Sequence, residues 1–529
     1  MTFELTNFDE PGLDADYLAH MLDHSTADAQ SHAGRLWNYF RNPLVPATAI
    51  TVGALNESSR PYFQAQEAGL PSRITGVANS FAGNTDLHRK EVVIENDIAW
   101  RVQTMVDFLF SRTPAIRSLA GDKRTAALIE RIISAILQAN GGVAFLQEAA
   151  LIGSIYGFVD IALRTPADGL APMPVMSTPQ GTPAADGNAP SPSNAASSLG
   201  GQPGTPDISD AAAAAIVAFA GQLRLEAIEA GRVMPILDEY DYRRVRMWVQ
   251  RFEVNPPQME DRRNGWQRLL GRGKSSAPAS TEVIELIGRN WWQRYEDRQL
   301  TAEGPNPLGC LPIVHIQNVA LAGSYAGLSD VEPLIPLQDE LNTRLSDRAQ
   351  RVTYQSFKMY LGKGIDDFLD RPVGPGQMWA THNMEASIEE FGSDDGSPSE
   401  DAHIEQVRAA LDKVSGVSPL AAGLVRDNVG YLTSGTALKV VLGGLLARTA
   451  RKRLTYGAGL QRIVELSLEW LDRCGVLHTT ADDRRIEIHW PNMTPADEGE
   501  QLRNAQIKAQ LGVPAERIMA ELGYGREEN

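Results

Sequence analysis

Cysteine is scarce in this chain: only Cys310 and Cys474 occur among 529 residues. Two thiols so far apart exclude a disulfide framework and a cysteine-rich zinc module, and they suit a reducing compartment. Long hydrophobic runs are also missing. The longest apolar stretch, Ala211–Ala220, is about half the ~20 residues that span a bilayer, so no membrane partner is expected. The N-terminal MTFELTNFDEPGLDAD is acidic and lacks the apolar segment of a secretory signal. Action in the cytoplasm, or in a particle assembled there, is the expectation. Positive charge is in deficit, with 49 Lys and Arg against 66 Asp and Glu, a formal charge of −17. Proteins that wrap nucleic acid gain most of their affinity by neutralising phosphates. The deficit therefore excludes a repressor-like or nucleosome-like binder. It leaves room for DNA that slides past a repelling wall.

Patterns that carry catalysis are absent or broken. The nine histidines are scattered and form no HExxH, and none sits with partners at metal-ligand spacing. There is no Gly-x-Ser-x-Gly elbow. Gly271-Arg272-Gly273-Lys274-Ser275 resembles the end of a phosphate-binding loop, but position 268, where the pattern needs Gly, is Arg. It reads as a basic loop. The paired acids Asp366/Asp367 and Asp394/Asp395 read as solvated loop charges. No catalytic residue, cofactor or metal ligand is assigned, and no enzymatic activity is expected.

What is present is helical periodicity interrupted by strand-like runs. Helices are expected over 13–42, 88–112, 123–163 (broken at Gly141-Gly142) and 209–230. Strands are expected over Val233–Leu237, Val245–Phe252, Thr281–Ile287, Leu311–Ile316 and Arg485–Trp490. Residues 166–206 hold nine Pro and six Gly and read as a low-complexity surface insertion. Ser329-Asp330-Val331-Glu332 has capping-box spacing. A helix to about Tyr354 follows, with Leu337, Leu341, Leu345 and Val352 as its apolar stripe and Glu340/Arg344 and Asp347/Arg351 as ion pairs four apart. Residues 356–399 form a compact insert with strand runs Phe357–Leu361 and Ser387–Phe391 around a short acidic helix, Asp366–Asp370. A second helix runs from about Glu400 to Val414. The longest helical pattern occupies about 434–473. Its basic run Arg448, Arg451, Lys452, Arg453 reads as a solvated face, or as a contact with DNA or a neighbouring subunit. Gly443-Gly444 and Gly457/Gly459 each weaken the helix by up to ~1 kcal/mol unless another backbone packs closely there or the helix bends.

Four stretches in this order resemble the portal proteins of tailed bacteriophages. They are 64–76 (QAQEAGLPSRITG) with 93–111 (VIENDIAWRVQTMVDFLFS), 311–315 (LPIVH) leading to 327–332 (GLSDVE), 338–342 (QDELN) with Ser346-Asp347, and 434–439 (SGTALK) opening the long helix. The resemblance implies an α+β, mainly helical, portal-like fold with wing, stem, clip and short crown. By position, 1–29 is an N-terminal arm, 30–327 the first part of the wing, and 328–355 the first stem helix. The clip is then 356–399, the second stem helix 400–416 and the tunnel loop 417–433. The long helix and its strand, 434–490, complete the wing, and 491–529 is the crown.

The resemblance also assigns roles. Arg426 of the tunnel loop, flanked by Asp427, Asn428 and Val429, is the candidate phosphate contact. Asp339, Glu340, Arg344, Asp347, Arg348, Arg351, Glu405 and Arg408 are stem residues. Asp366, Asp367, Asp370, Glu389, Glu390, Asp394 and Asp395 give the clip an acidic wall. Residues 355–399 hold three basic and eight acidic side chains, and an acidic wall does not grip phosphate. The implied partners are further copies of the chain in a ring of about twelve, double-stranded DNA in the channel, the large terminase, adaptor or head-completion proteins, the major capsid protein and a scaffolding protein. The implied location is the unique vertex of a virion assembled in the host cytoplasm, and the implied roles include genome packaging, ejection and nucleation of the procapsid. Competing readings are another virion structural protein (a capsid or tail subunit) and a packaging ATPase.

Overall fold

The computed structural model describes residues 5, 8, 13–24, 26–46, 62–75, 91–164, 210–254, 281–306, 308–356, 359–363, 385–391, 398–423, 439–493, 498–515 and 518–519. The insertion at 166–206, the Gly271–Ser275 motif, the acidic helix Asp366–Asp370 and the tunnel-loop residues 426–429 lie outside them. Helices and strands are mixed, and the chain divides into two compact units. One comprises 1–36, 101–332 and 416–529; the other comprises 37–100 and 333–415.

The larger unit is built on two antiparallel sheets. Ile313–Gln317, Phe158–Arg164 and Arg224–Ile228 form one in that order. The other runs Gln299–Pro305, Trp291–Glu296, Thr281–Ile287, Val245–Val254, Val233–Leu237. The three-stranded sheet shares a core with helices Lys123–Ala139, Val143–Tyr156 and Asp210–Ala220 and with the long helix Gly443–Arg473. The five-stranded sheet packs Met247, Val249, Ile284 and Tyr295 against Leu18 and Leu22 of helix Ala15–His24. Between the sheets, buried Arg164 donates to Glu226 and Glu285, both at 2.9 Å, and to Gln250 at 3.1 Å. Burial pushes the Glu285 carboxyl above its ordinary range despite that cation.

Several boundaries differ from the sequence expectation, each for a physical reason. The helix expected through 163 stops at Tyr156, because Gly157 takes a left-handed φ of +92°. Phe158–Arg164 is then a strand buried throughout, a run that periodicity alone does not separate from a buried helix. The Ala-rich helix ends at Ala220, and Arg224–Ile228 pairs with that strand. Strands Trp291–Glu296 and Gln299–Pro305 were not anticipated. The long helix Gly443–Arg473 has 31 residues, extends ~46 Å and follows helical residues 439–441 across a turn at Leu442. The expectation placed its start near 434; residues 434–438 lie outside the described set.

The smaller unit holds helix Ile335–Ser356, the hairpin Met359–Lys363/Ser387–Phe391 and helix Pro398–Ser415. It also contains the strand pair Leu44–Pro46/Tyr62–Gln64 and the extended residues 91–96. The hairpin register sets Tyr360 opposite Glu390 and Leu361 opposite Glu389.

Candidate functional site

The two helices that bracket the hairpin are the elements on which the sequence placed the stem residues. The expected apolar stripe is only partly the buried face of Ile335–Ser356. Leu341 is fully buried, Leu337 and Leu345 are half-buried, and Val352 is 53% exposed. The deepest face also carries Gln338, Asn342 and Ser346, each at most 1% exposed. These polar residues recur every four positions, as Gln350 does after them.

Their partner is backbone. Gln338 Oε1 accepts the Asp97 N–H at 3.1 Å, Asn342 Oδ1 the Glu95 N–H at 3.1 Å, Ser346 Oγ the Val93 N–H at 3.0 Å, and Gln350 Oε1 the Glu91 N–H at 3.1 Å. Gln338 Nε2 returns a bond to the Glu95 carbonyl at 2.6 Å. The periods match. Four helical residues rise ~6.0 Å and two extended residues ~6.6 Å, so successive rungs stay in step along a straight segment. Unmatched buried amides would each cost ~1–3 kcal/mol. This explains why the helix expected over 88–112 is Asp97–Leu109: residues 91–96 are held extended by side chains from a distant helix. Val92, on the alternate side of the segment, is buried with Leu70 and Ile74. Asn342 Nδ2 also reaches Gln66 Oε1 at 2.9 Å, and Gln66 Nε2 reaches the Tyr39 carbonyl at 2.7 Å.

The charged stem residues form a second, more exposed layer. Glu340 accepts from Arg344 at 2.7 Å and lies 3.0 Å from His403 Nε2 of the other helix. Burial opposes its charge, but those two partners outweigh burial and hold the carboxyl below its usual range. Arg348 pairs with Asp401 at 3.1 Å, and Arg351 pairs with Glu400. The expected Asp347/Arg351 pair is replaced, because each finds a partner elsewhere. Asp347 takes Arg73 at 2.5 Å. Arg408 bonds Glu405 at 3.0 Å and Glu95 at 2.7 Å, so the extended segment is tied to both bracket helices. Asp339 accepts the Tyr39 hydroxyl proton at 2.8 Å, and burial raises its pKa against that bond. A Cβ at Gly69 would sit 2.0 Å from Asp339 Oδ1 and 2.4 Å from the Tyr39 hydroxyl, so a side chain there would displace that hydrogen-bonded pair.

In the larger unit, three of the four residues in the basic run Arg448, Arg451, Lys452, Arg453 of the long helix are structural. Lys452, 1% exposed, contacts Asp330 at 2.5 Å and Ser154 Oγ at 2.9 Å. Arg448 reaches the same carboxylate at 2.9 Å. Burial disfavours the charge on Asp330, yet these cations hold its pKa below the usual range. Arg453 lies over the Trp490 ring and donates to the Pro491 carbonyl at 2.9 Å. Arg451 is exposed. Ser329 does cap: its Oγ accepts from the Val331 and Glu332 amides at 3.0 and 3.2 Å.

The backbone at Gly416 and Val417 is clamped. Gly416 has φ +71°, and a Cβ at Gly444 would lie 3.0 Å from the Gly416 carbonyl oxygen. Buried Arg101 donates to the Val417 carbonyl at 2.8 Å. A Cβ at Gly459 would strike Ile316 at 2.3 Å. The close approach expected at these glycines is thus met, at 444 and 459, by packing within one chain.

Arg426, Asp427, Asn428 and Val429 lie outside the described residues, as do Asp366, Asp367, Asp370, Asp394 and Asp395. Glu389 and Glu390 fall on the second hairpin strand. Sequence reasoning missed the ladder. Its signal was Gln, Asn, Ser and Gln at i, i+4, i+8 and i+12 of one helix.

Residues 279–523 match the model of the family described as Phage portal protein, SPP1 Gp6-like. The match supports a phage portal protein. It covers somewhat under half of the chain and takes in both bracket helices, the hairpin and the long helix. No curated protein matches the chain. The match supports a phage portal function in general terms.

Proposed function

We propose that the chain is the subunit of a closed ring at one capsid vertex, through which DNA enters and leaves the particle. The observation that carries the reading is the family match over a helix–hairpin–helix whose two helices are cross-tied by Glu340–His403, Arg348–Asp401 and Arg351–Glu400. Such ties make the pair a stiff strut that carries the small hairpin at one end. In a ring, copies of that strut line a channel, and the acidic hairpin insert narrows it. A wall of the same sign as DNA lets the duplex slide, while Arg426 of each copy supplies local phosphate contact. The hairpin end is the docking face for the large terminase, which provides the ATP chemistry; this chain performs none. Head-completion proteins take the same end later, and the ring nucleates procapsid assembly in the host cytoplasm.

Wing, stem, clip and crown follow the boundaries set out from the sequence. Light scattering on the purified protein tests the reading. About twelve copies of a 57.6 kDa chain give a particle of ~690 kDa with rotational symmetry. A monomer at micromolar concentration contradicts it. Arg426→Ala is expected to leave the ring intact and to lower packaging; unchanged packaging removes the phosphate-contact role.

A further inference from the structure

The buried side chains around Asp330 are arranged as more than an ion pair. Lys452 and Tyr456 lie about one turn apart on the long helix, Ser154 lies on helix Val143–Tyr156, and Asn318 follows strand Ile313–Gln317. Like Asp330, none of them is more than 2% exposed. Two bridges join Lys452 Nζ to the two ends of the Asn318 amide. Through Asp330, Nζ contacts Oδ2 at 2.5 Å, and the same oxygen accepts from Asn318 Nδ2 at 2.9 Å. Through Ser154, Nζ reaches Oγ at 2.9 Å, and that hydroxyl donates to Asn318 Oδ1 at 3.4 Å. Tyr456, whose proton is held by burial, brings its hydroxyl to Asn318 Oδ1 at 3.5 Å.

Each group matches a part in amide exchange. A nucleophile needs a free lone pair, and burial, joined by the nearby Arg448 cation, disfavours the charged form of Lys452. Negative charge developing on the amide oxygen needs fixed donors, here the Ser154 and Tyr456 hydroxyls. The leaving nitrogen needs a proton. One Asp330 oxygen touches both the nitrogen that would lose protons and the nitrogen that would gain them. Holding both reactants in one site replaces a bimolecular encounter.

We propose that the folded chain joins Lys452 to Asn318 through an isopeptide bond. Lys452 passes one proton to Asp330. The Nζ lone pair then bonds to Asn318 Cγ and displaces the carbonyl π pair onto Oδ1. The carbonyl re-forms as the Cγ–Nδ2 bond breaks, while Asp330 gives its proton to Nδ2 and takes a second from Nζ. Ammonia leaves with that second proton as ammonium, and Asp330 is again a carboxylate beside Arg448. The exchange is redox-neutral and needs no co-reactant. The ion cluster described above is the state before the bond forms. The inference stands apart from the ring reading.

Intact-mass spectrometry and tryptic mapping of the full-length protein, fresh and after warm incubation, test it. The expected result is a mass below the sequence value by one ammonia, with a branched peptide linking Asn318 to Lys452. Lys452→Arg and Asn318→Ala chains should keep their full sequence masses, and Ser154→Ala should slow the loss several-fold. A wild-type mass that stays at the sequence value overturns the proposal. Ammonia loss with no branched peptide, the mark of a succinimide, overturns it too. The wild-type measurement decides the matter even where a variant fails to fold.

Discussion

The two long helical elements of this protein are held by opposite means. The long helix Gly443–Arg473 buries Leu460, Ile463, Leu466, Leu468 and Leu471 in an apolar core, with Phe219 stacked on Trp470 at 5.3 Å. Helix Ile335–Ser356 buries Gln338, Asn342 and Ser346 against an extended backbone. Apolar packing is non-directional and tolerates sliding. A ladder of hydrogen bonds fixes register, because each rung must meet its own amide. A core element and a strut therefore read differently even where both are helices.

The largest expected effect lies in the apolar region, at the buried Asp330–Lys452–Arg448 cluster. Lys452→Met leaves Asp330 buried with Arg448 as its remaining cation and the Asn318 amide as its remaining donor, and should cost about 3–5 kcal/mol, measured by denaturant unfolding. The pH dependence has a definite sign. The folded-state pKa of Asp330 is depressed, so the pair's contribution is present above the ordinary aspartate range, near ~3.9, and is lost as pH falls through the lower folded value. A flat profile across that acid range would remove the ion cluster from the account.

The strut is tested next. Asn342→Leu keeps the branched side-chain shape but strands the Glu95 amide and the Gln66 side chain, for a cost of about 3 kcal/mol. Hydrogen exchange at Val93 and Glu95 should accelerate with it. If exchange there stays slow, the ladder does not hold the segment. Gly416→Ala places a side chain at φ +71° and should cost about 1–2 kcal/mol, read as a lower melting temperature. Arg348→Ala removes an exposed pair with Asp401 and should change stability by less than about 1 kcal/mol. A larger loss would mean that the ties between the bracket helices matter more than the ladder.

Legibility in the sequence follows the same division. The helix–insert–helix order, the insert strands and most strands of the five-stranded sheet rest on periodicity and punctuation, and the structure has them within a few residues. Phe158–Arg164 was hidden because a fully buried strand has no alternation to read. The extended 91–96 segment was hidden because its sequence favours a helix and only a partner some 250 residues away overrides that preference. Lys452 looked like surface charge because its partner Asp330 is 122 residues distant. Glu340/Arg344 was legible because both ends lie on one helix.

The central claim is that the helix pair and its hairpin surround a shared channel. Electron cryomicroscopy of the purified oligomer tests it most directly. The account predicts a closed ring in which strands Met359–Lys363 and Ser387–Phe391 of every copy stand around the narrowest part of a central pore. A ring with those hairpins on its outer rim, or particles with no central opening, would contradict it.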